Sequence, residues 1–300
     1  MKKTIVFTDS DLDGSMSYLL LDWCTTTKLP YKTTTVTRFH DDFTAWSRKN
    51  DVASYDNIYI LDLDVSQKSL DLVDRPNITI IDHHTTHVEN KHKYKNAKVY
   101  VTKYPSCAKL VYKLFKKKLD NVVNGNKKKL LLLVDDYDSW THKYPQSKQL
   151  NYIYWNYQSD RLQAFVKDFQ FGFIGFTPDQ TNIVKFYENK LKKTITNLSY
   201  HRAVISIQKQ DVKCVCTFAD TLISDIGNHL IDIGYDIGFV VNLSSNRVSV
   251  RKNKSCNIDL GKLSKWLIDG GGHECAAGGM CTDKFLQFSK LFSPTTNGTR

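Results

Sequence analysis

The stretch Asn77-Ile78-Thr79-Ile80-Ile81-Asp82-His83-His84 decides how this chain is read. Its β-branched core predicts a short buried strand at residues 77–81. One carboxylate and two imidazoles follow that strand without a break. In open α/β sheets ligands bind at the carboxyl ends of the strands, so this triplet falls where a hydrolytic metal site belongs. A second apolar run, residues 4–8, leads in the same way into Asp9-Ser10-Asp11-Leu12-Asp13-Gly14-Ser15.

Asp9, Asp11 and Asp13 stand at alternate positions. Extended backbone would set all three on one side, and a turn would fan them around a cation. A single aspartate before a helix is accounted for by capping and the helix dipole, whereas three within five residues exceed that need. The opening Asp9-x-Asp11-x-Asp13-Gly14 also matches a calcium-binding loop, but the twelfth position is Leu20 in place of glutamate, and a strand comes first. Carboxylates suit hard divalent cations, and imidazole from His83 shifts the expectation towards manganese or a similar transition ion. Two further clusters behave alike. Asp62-Leu63-Asp64 ends a strand expected at 57–61, and Asp135-Asp136-Tyr137-Asp138 follows the apolar run 130–134.

Around these clusters the first half alternates strand and helix, with strands at 4–8, 33–37, 57–61, 77–81 and 98–101. Helices are expected at 15–26, 43–49, 67–73, 106–119 and 127–134, which together favour a parallel sheet. An aromatic, mostly helical stretch covers 150–176. Thr177 and Pro178 then start a long helix to about residue 198, as N-cap and first helical position. Beyond it the pattern changes to strands at 201–208, 212–218, 236–243 and 247–252, with helices at 224–233 and 260–268 and a glycine-rich turn. The expected organisation is an α/β domain over 1–176, a helical linker over 177–199, and a smaller α+β domain with a mixed sheet over 200–300. Residues 293–300 read as a disordered tail.

The chain has 300 residues, is 41% hydrophobic and 24% charged, and carries a net charge of +11. No run approaches the roughly 18 apolar residues of a membrane span, and the apolar segment after Met1-Lys2-Lys3 is too short for a signal peptide. A cytoplasmic protein is expected. Seven scattered cysteines fit reduced, buried thiols better than a disulfide framework. Zinc held by Cys214, Cys216, Cys275 and Cys281 is disfavoured because no C-x-x-C pair occurs. Residues 91–130 hold thirteen lysines against one acid, Asp120. Such a one-sided face attracts polyanions such as nucleic acid, although a solvated lysine-rich surface would look the same.

The order of motifs resembles the DHH phosphoesterase family over nearly the whole chain. Asp11-Leu12-Asp13-Gly14 is similar to its first motif, Asp64-Val65-Ser66 to its second, Asp82-His83-His84 to its third, and Asp136-Tyr137-Asp138-Ser139-Trp140 to its fourth. Gly270-Gly271-Gly272-His273-Glu274-Cys275-Ala276-Ala277-Gly278-Gly279 resembles the signature of the substrate-binding domain associated with that family. The resemblance implies a hydrolase with two manganese ions, magnesium or cobalt being possible replacements. Its implied ligands are Asp11, Asp13, Asp64, His83 and Asp136, with Asp138 as the alternative to Asp136; Asp82 would either join this metal cluster or hold a histidine in its tautomer. Asp9 stands in for a first-motif histidine that this chain lacks. Asp82, His83 and His84 form the implied catalytic group. His84 would face the scissile phosphate, while Arg251, Gly271, Gly272 and His273 would grip substrate.

The expected activity is hydrolysis of short or single-stranded RNA or DNA to mononucleotides. The alternatives are a phosphodiesterase for cyclic or linear dinucleotides, a phosphatase for 3′-phosphonucleotides, and a non-enzymatic oligonucleotide binder. Oligomeric state is open, a dimer included, and no membrane partner is expected.

Overall fold

The structure is a computed structural model describing residues 2–207, 210–272 and 274–294. The chain divides into two compact units, Met1–Lys185 and Phe186–Arg300.

In the first unit the strands β1 (Thr4–Asp9), β2 (Tyr31–Thr34), β3 (Asn57–Leu61), β4 (Ile78–Asp82) and β5 (Lys98–Val101) form one sheet in the order β2-β1-β3-β4-β5. Every neighbouring pair is parallel. Buried on both faces, these strands read as near-continuous apolar runs. Val6, Leu61 and Ile81 face one core, while Ile5, Phe7, Ile58, Ile60, Ile78 and Ile80 face the other. On the second face Phe7 stacks edge-on against Phe39 and Trp46. Full burial of each such ring is worth ~1.5–3 kcal/mol. Strand order reverses between β1 and β3, and at such a switch point ligands bind outside the carboxyl ends of the strands.

The helices of this unit are α1 (Leu12–Asp22), α2 (Phe39–Ser47), α3 (Leu70–Val73), α4 (Thr85–Asn90), α5 (Cys107–Leu114), α6 (Lys116–Leu119), α7 (Gly125–Asp138), α8 (Pro145–Asn156) and α9 (Arg161–Phe169). The helix α10 (Pro178–Thr196) runs from the first unit into the second. Its start is a reciprocal capping box. Gln180 N–H donates to Thr177 Oγ1 at 3.2 Å, and Thr177 N–H donates to Gln180 Oε1 at 3.1 Å.

Several boundaries depart from the sequence expectation. β2 and α2 begin two and four residues early, because Tyr31 is drawn against Tyr18 and Phe39 against Phe7. The helix expected over 106–119 breaks at Phe115 into α5 and α6. α4 was not expected, as its threonines and histidine are weak helix formers. α7 continues to Asp138, so the fourth acid cluster lies in its last turns and not in a loop after it. α1 begins at Leu12, directly after β1 and Asp11, which leaves no room for a twelve-residue calcium loop.

The second unit contains β6 (His201–Ile207), β7 (Gln210–Phe218), α11 (Ile223–Asp232), β8 (Ile237–Asn242), β9 (Arg247–Lys252), α12 (Leu260–Leu267), β10 (Gly271–Gly272), β11 (Ala276–Met280), α13 (Asp283–Ser289) and β12 (Ser293–Pro294). Among the described residues its mixed sheet runs β10-β11-β9-β8-β7-β6-β12, with only the β7–β8 pair parallel. Cys214 and Cys216 point into one core, and Val215 into the other, as period-two alternation requires. β10 and β11 pack closely here: a Cβ at Gly270 would sit 2.0 Å from the Gly278 carbonyl oxygen. Residues 293 and 294 pair with β6, contrary to the expected tail. Residues 295–300 of that tail lie outside the described residues.

Candidate active site

The first motif is built where β1 hands over to α1. Asp11 is the N-cap, its Oδ1 accepting from Gly14 N–H at 2.8 Å, and Asp9 Oδ1 accepts from Ser10 N–H at 2.5 Å. Only glycine fits at position 14, because a Cβ there would lie 2.5 Å from the Asp9 carbonyl oxygen. The Tyr154 hydroxyl donates to the Ser10 carbonyl at 2.8 Å and meets Ser15 Oγ at 2.8 Å, which ties α8 to this turn. Asp13 is buried in the first turn of α1. Its two oxygens accept from Cys107 N–H at 2.7 Å and Ala108 N–H at 2.9 Å, the first amides of α5. A helix N-terminus is a natural seat for a carboxylate.

His83 is the centre of the cluster. Its Nδ1 donates to the Tyr104 carbonyl at 3.1 Å. A carbonyl can only accept, so Nδ1 carries the proton and Nε2 turns towards three carboxylates. Nε2 lies 3.4 Å from Asp62 Oδ1, 3.5 Å from Asp138 Oδ2 and 3.7 Å from Asp13 Oδ2. Asp62 follows β3 with φ +59°, a left-handed turn uncommon for a non-glycine residue, and it brings the carboxylate inward.

Asp82 lies beneath this group with no exposed surface. His84 Nδ1 donates to its Oδ1 and His87 Nδ1 donates to its Oδ2, each at 2.7 Å. Both carboxylate oxygens are therefore taken by imidazoles. The His84 side chain stays 31% exposed, against 3% for His83.

Asp82 thus holds histidines in place, and two more of the expected ligands, Asp64 and Asp136, also spend their oxygens on other hydrogen bonds. Asp64 Oδ1 accepts from Ser66 N–H at 3.1 Å and Ser66 Oγ at 2.6 Å, and its Oδ2 accepts from Thr86 Oγ1 at 2.5 Å. Asp136 accepts from Lys143 N–H at 2.9 Å, Tyr144 N–H at 3.1 Å and Ser147 Oγ at 2.7 Å. Each is the hub of a turn. The structure instead brings Asp62 and Asp138 to His83. Asp62 directly follows β3, and that strand-end position is the signal for it in the sequence. His87 carried no signal beyond following His84 by three residues.

Electrostatics separate the acids into two kinds. Burial, followed by repulsion from Asp11, pushes Asp9 up to about 8. Burial raises Asp13 to about 6, against the pull of His83. Burial and then Asp13 hold Asp62 and Asp138 well above the ordinary carboxylate range. Asp82 differs. Burial would raise it too, but His84 and His87 outweigh that and hold it well below its usual value. Burial works against charge on His84, yet Asp82 keeps it protonated up to about 10.

The residues present fit a divalent cation. Asp62 Oδ1 and Asp138 Oδ2 are buried and accept no hydrogen bond from any described residue. Such orphaned oxygens are costly unless a cation or proton meets them. Two overlapping sets hold their ligand atoms within 4.8 Å of one another: Asp62, His83 and His84, and Asp13, His83 and Asp138. Neither set includes a cysteine.

The expected substrate contacts lie in the second unit. Arg251 Nη2 donates to Ser224 Oγ at 3.0 Å and Nη1 to the Val250 carbonyl at 2.9 Å. Gly271 and Gly272 are exposed and pair with Gly278 and Ala277. His273 lies outside the described residues.

No family model and no curated protein matches the sequence. Solved structures do match in fold. The pGpG-specific phosphodiesterase PggH from Vibrio cholerae shares 15% identity, with 96% of each chain covered and a TM-score of 0.59. A DHH domain described as a member of the s1p family of ribosomal proteins shares 11%, covering 96% of this chain and 85% of that one, with a TM-score of 0.60. Exonuclease RecJ bound to manganese shares 12%, covering 96% and 88%, with a TM-score of 0.55.

Proposed function

The chain has the fold of the DHH-domain proteins, and from that premise we propose that it is a divalent-cation-dependent phosphodiesterase acting on short single-stranded oligonucleotides, dinucleotides included. The observation that carries this reading is the pair of orphaned carboxylate oxygens, Asp62 Oδ1 and Asp138 Oδ2, on either side of His83 Nε2. Manganese is the proposed ion, in two copies. The proposed ligands are Asp13, Asp62, His83 and Asp138, with Asp9 and Asp11 at the rim. The division into a catalytic segment 1–176, a connector 177–199 and a substrate-binding segment 200–300 belongs to the same proposal, supported by the motif resemblance.

Divalent ions held there would supply Lewis-acid polarisation of a phosphoryl oxygen and would make a water acidic enough to lose its proton and attack the phosphorus. The chain's own groups do the rest. Tyr104 fixes the tautomer of His83, and the first amides of α5 fix Asp13, so the ligands are in place before substrate arrives. His84, protonated and partly exposed, donates a charged hydrogen bond to a non-bridging phosphate oxygen as negative charge builds on it. Short substrates are favoured by the likeness in fold and length to the pGpG-specific enzyme, with 96% of each chain covered.

The test is direct. Purified protein is incubated with manganese, magnesium or chelator and with end-labelled RNA and DNA of two to twenty-four nucleotides (about that range), cyclic dinucleotides and a 3′-phosphonucleotide. Metal-dependent release of mononucleotides from the shortest substrates is expected. No hydrolysis of any member of this panel with any metal would sink the reading.

A further inference from the structure

We propose that His87 and Tyr94 are positioning residues for His84, acting through Asp82; the inference rests on the hydrolase reading above. The structure shows a continuous chain of hydrogen bonds. His84 Nδ1 meets Asp82 Oδ1 at 2.7 Å, Asp82 Oδ2 meets His87 Nδ1 at 2.7 Å, and His87 Nε2 meets the Tyr94 hydroxyl at 2.9 Å. Asp82 and His87 both have no exposed surface.

The local fold explains how this arises. β4 ends at Asp82, and α4 starts straight after His84. His87 N–H donates to the His84 carbonyl at 3.1 Å, so the first turn of α4 swings residue 87 back beneath the strand end. The turn Lys91–Lys93 then presents Tyr94. A carboxylate only accepts, so each Nδ1 carries a proton. In a neutral His87 ring Nε2 is then the acceptor, and the Tyr94 hydroxyl donates to it. This sets the ring plane of His87, which sets the Asp82 carboxylate, which sets the ring plane of His84. Neither His87 nor Tyr94 belongs to the cluster around His83 Nε2.

A buried network of this kind could serve stability alone. What favours positioning is where the chain of bonds leads: it reaches the more exposed imidazole of the motif, His84 at 31% against His83 at 3%. A hydrogen-bond donor aimed a fraction of an ångström wrong forfeits most of its effect on a transition state. Loss should therefore fall on kcat and leave ground-state binding nearly intact.

The experiment compares wild type, His87→Ala, His87→Asn and Tyr94→Phe. Asparagine at 87 keeps a donor near the place of Nδ1. Three readouts are taken: kcat and KM for manganese-supported hydrolysis of a 5′-phosphorylated RNA dinucleotide, equilibrium Mn²⁺ binding, and the downfield ring N–H resonance of His84. In His87→Ala we expect kcat down about 100-fold, with KM and Mn²⁺ affinity within about threefold of wild type. The resonance should be lost to solvent exchange. His87→Asn should recover at least about tenfold of the lost kcat and restore the resonance, and Tyr94→Phe should lose about tenfold in kcat. Wild-type kcat in His87→Ala overturns the proposal. So does a parallel loss of Mn²⁺ binding and kcat that asparagine fails to rescue, since that is what a purely structural role gives. A wild type that hydrolyses nothing, while the resonance responds as stated, overturns the hydrolase reading and leaves the positioning of His84 standing.

Discussion

The hydrogen bond from His83 Nδ1 to the Tyr104 carbonyl, 3.1 Å long, turns the other ring nitrogen onto Asp62, Asp138 and Asp13. The bond joins the end of β4 to the loop after β5, so neighbouring strands of the parallel sheet fix the tautomer that a metal ligand needs.

The two aspartates of the second motif should separate cleanly. Asp62→Asn removes a buried oxygen that faces His83 Nε2, and turnover with manganese should fall by about 10³-fold or more. Asp64→Asn disturbs a turn and should stay within about tenfold of wild type. Steady-state rates of both variants, with circular dichroism as a fold check, decide it. Equal losses would return Asp64 to the ligand set.

The fourth motif makes the opposite prediction for stability. Asp136→Ala leaves the amides of Lys143 and Tyr144 and the Ser147 hydroxyl without their acceptor. It should destabilise the fold by ~2–4 kcal/mol. Asp138→Asn relieves a buried like-charge contact with Asp13. It should hold or raise the melting temperature while abolishing manganese binding. Thermal melts with and without manganese test both halves.

Cation binding should be linked to protons. Asp9 and Asp13 rise from 3.8 to about 8 and about 6, so both hold protons that a cation must displace. Manganese affinity should therefore increase from pH 5 to about pH 8 and then flatten. Calorimetry in two buffers of different ionisation heat should show proton release at about pH 6 to 7 and little at about pH 9. The stability these two acids contribute is greatest at low pH and is lost as pH rises through about 6 and about 8. Asp82 has the opposite sign. Its lowered pKa adds stability above the ordinary carboxylate range, and that stability is lost on acidification. A manganese affinity independent of pH would rule the linkage out.

The basic window should matter only for longer substrates. Lys116, Lys117 and Lys118 are exposed on α6, with Lys116 paired to Asp120. Replacing all three by glutamine should leave dinucleotide turnover within about twofold. It should raise KM for longer oligomers and flatten their salt dependence. Unchanged behaviour on long oligomers would make this face a solubility feature.

The alternation of apolar strands with helices, and the placing of acids and imidazoles at strand ends, were legible because both follow from local periodicity and chain order. Asp9 to Gly14 and Asp82 to His84 are contiguous, so spacing alone could group them. Sequence could not choose between Asp62 and Asp64, or between Asp136 and Asp138. In each pair both acids sit two residues apart, and the choice depends on backbone angles: φ +59° at Asp62 turns one carboxylate inward, and the turn after α7 wraps its amides around Asp136. His87 was hidden for a related reason. Its role needs an unanticipated helical turn to fold it back under Asp82. Residue type and order fixed which chemistry was available to this chain, whereas the direction of each side chain was left to tertiary hydrogen bonds between residues far apart in sequence.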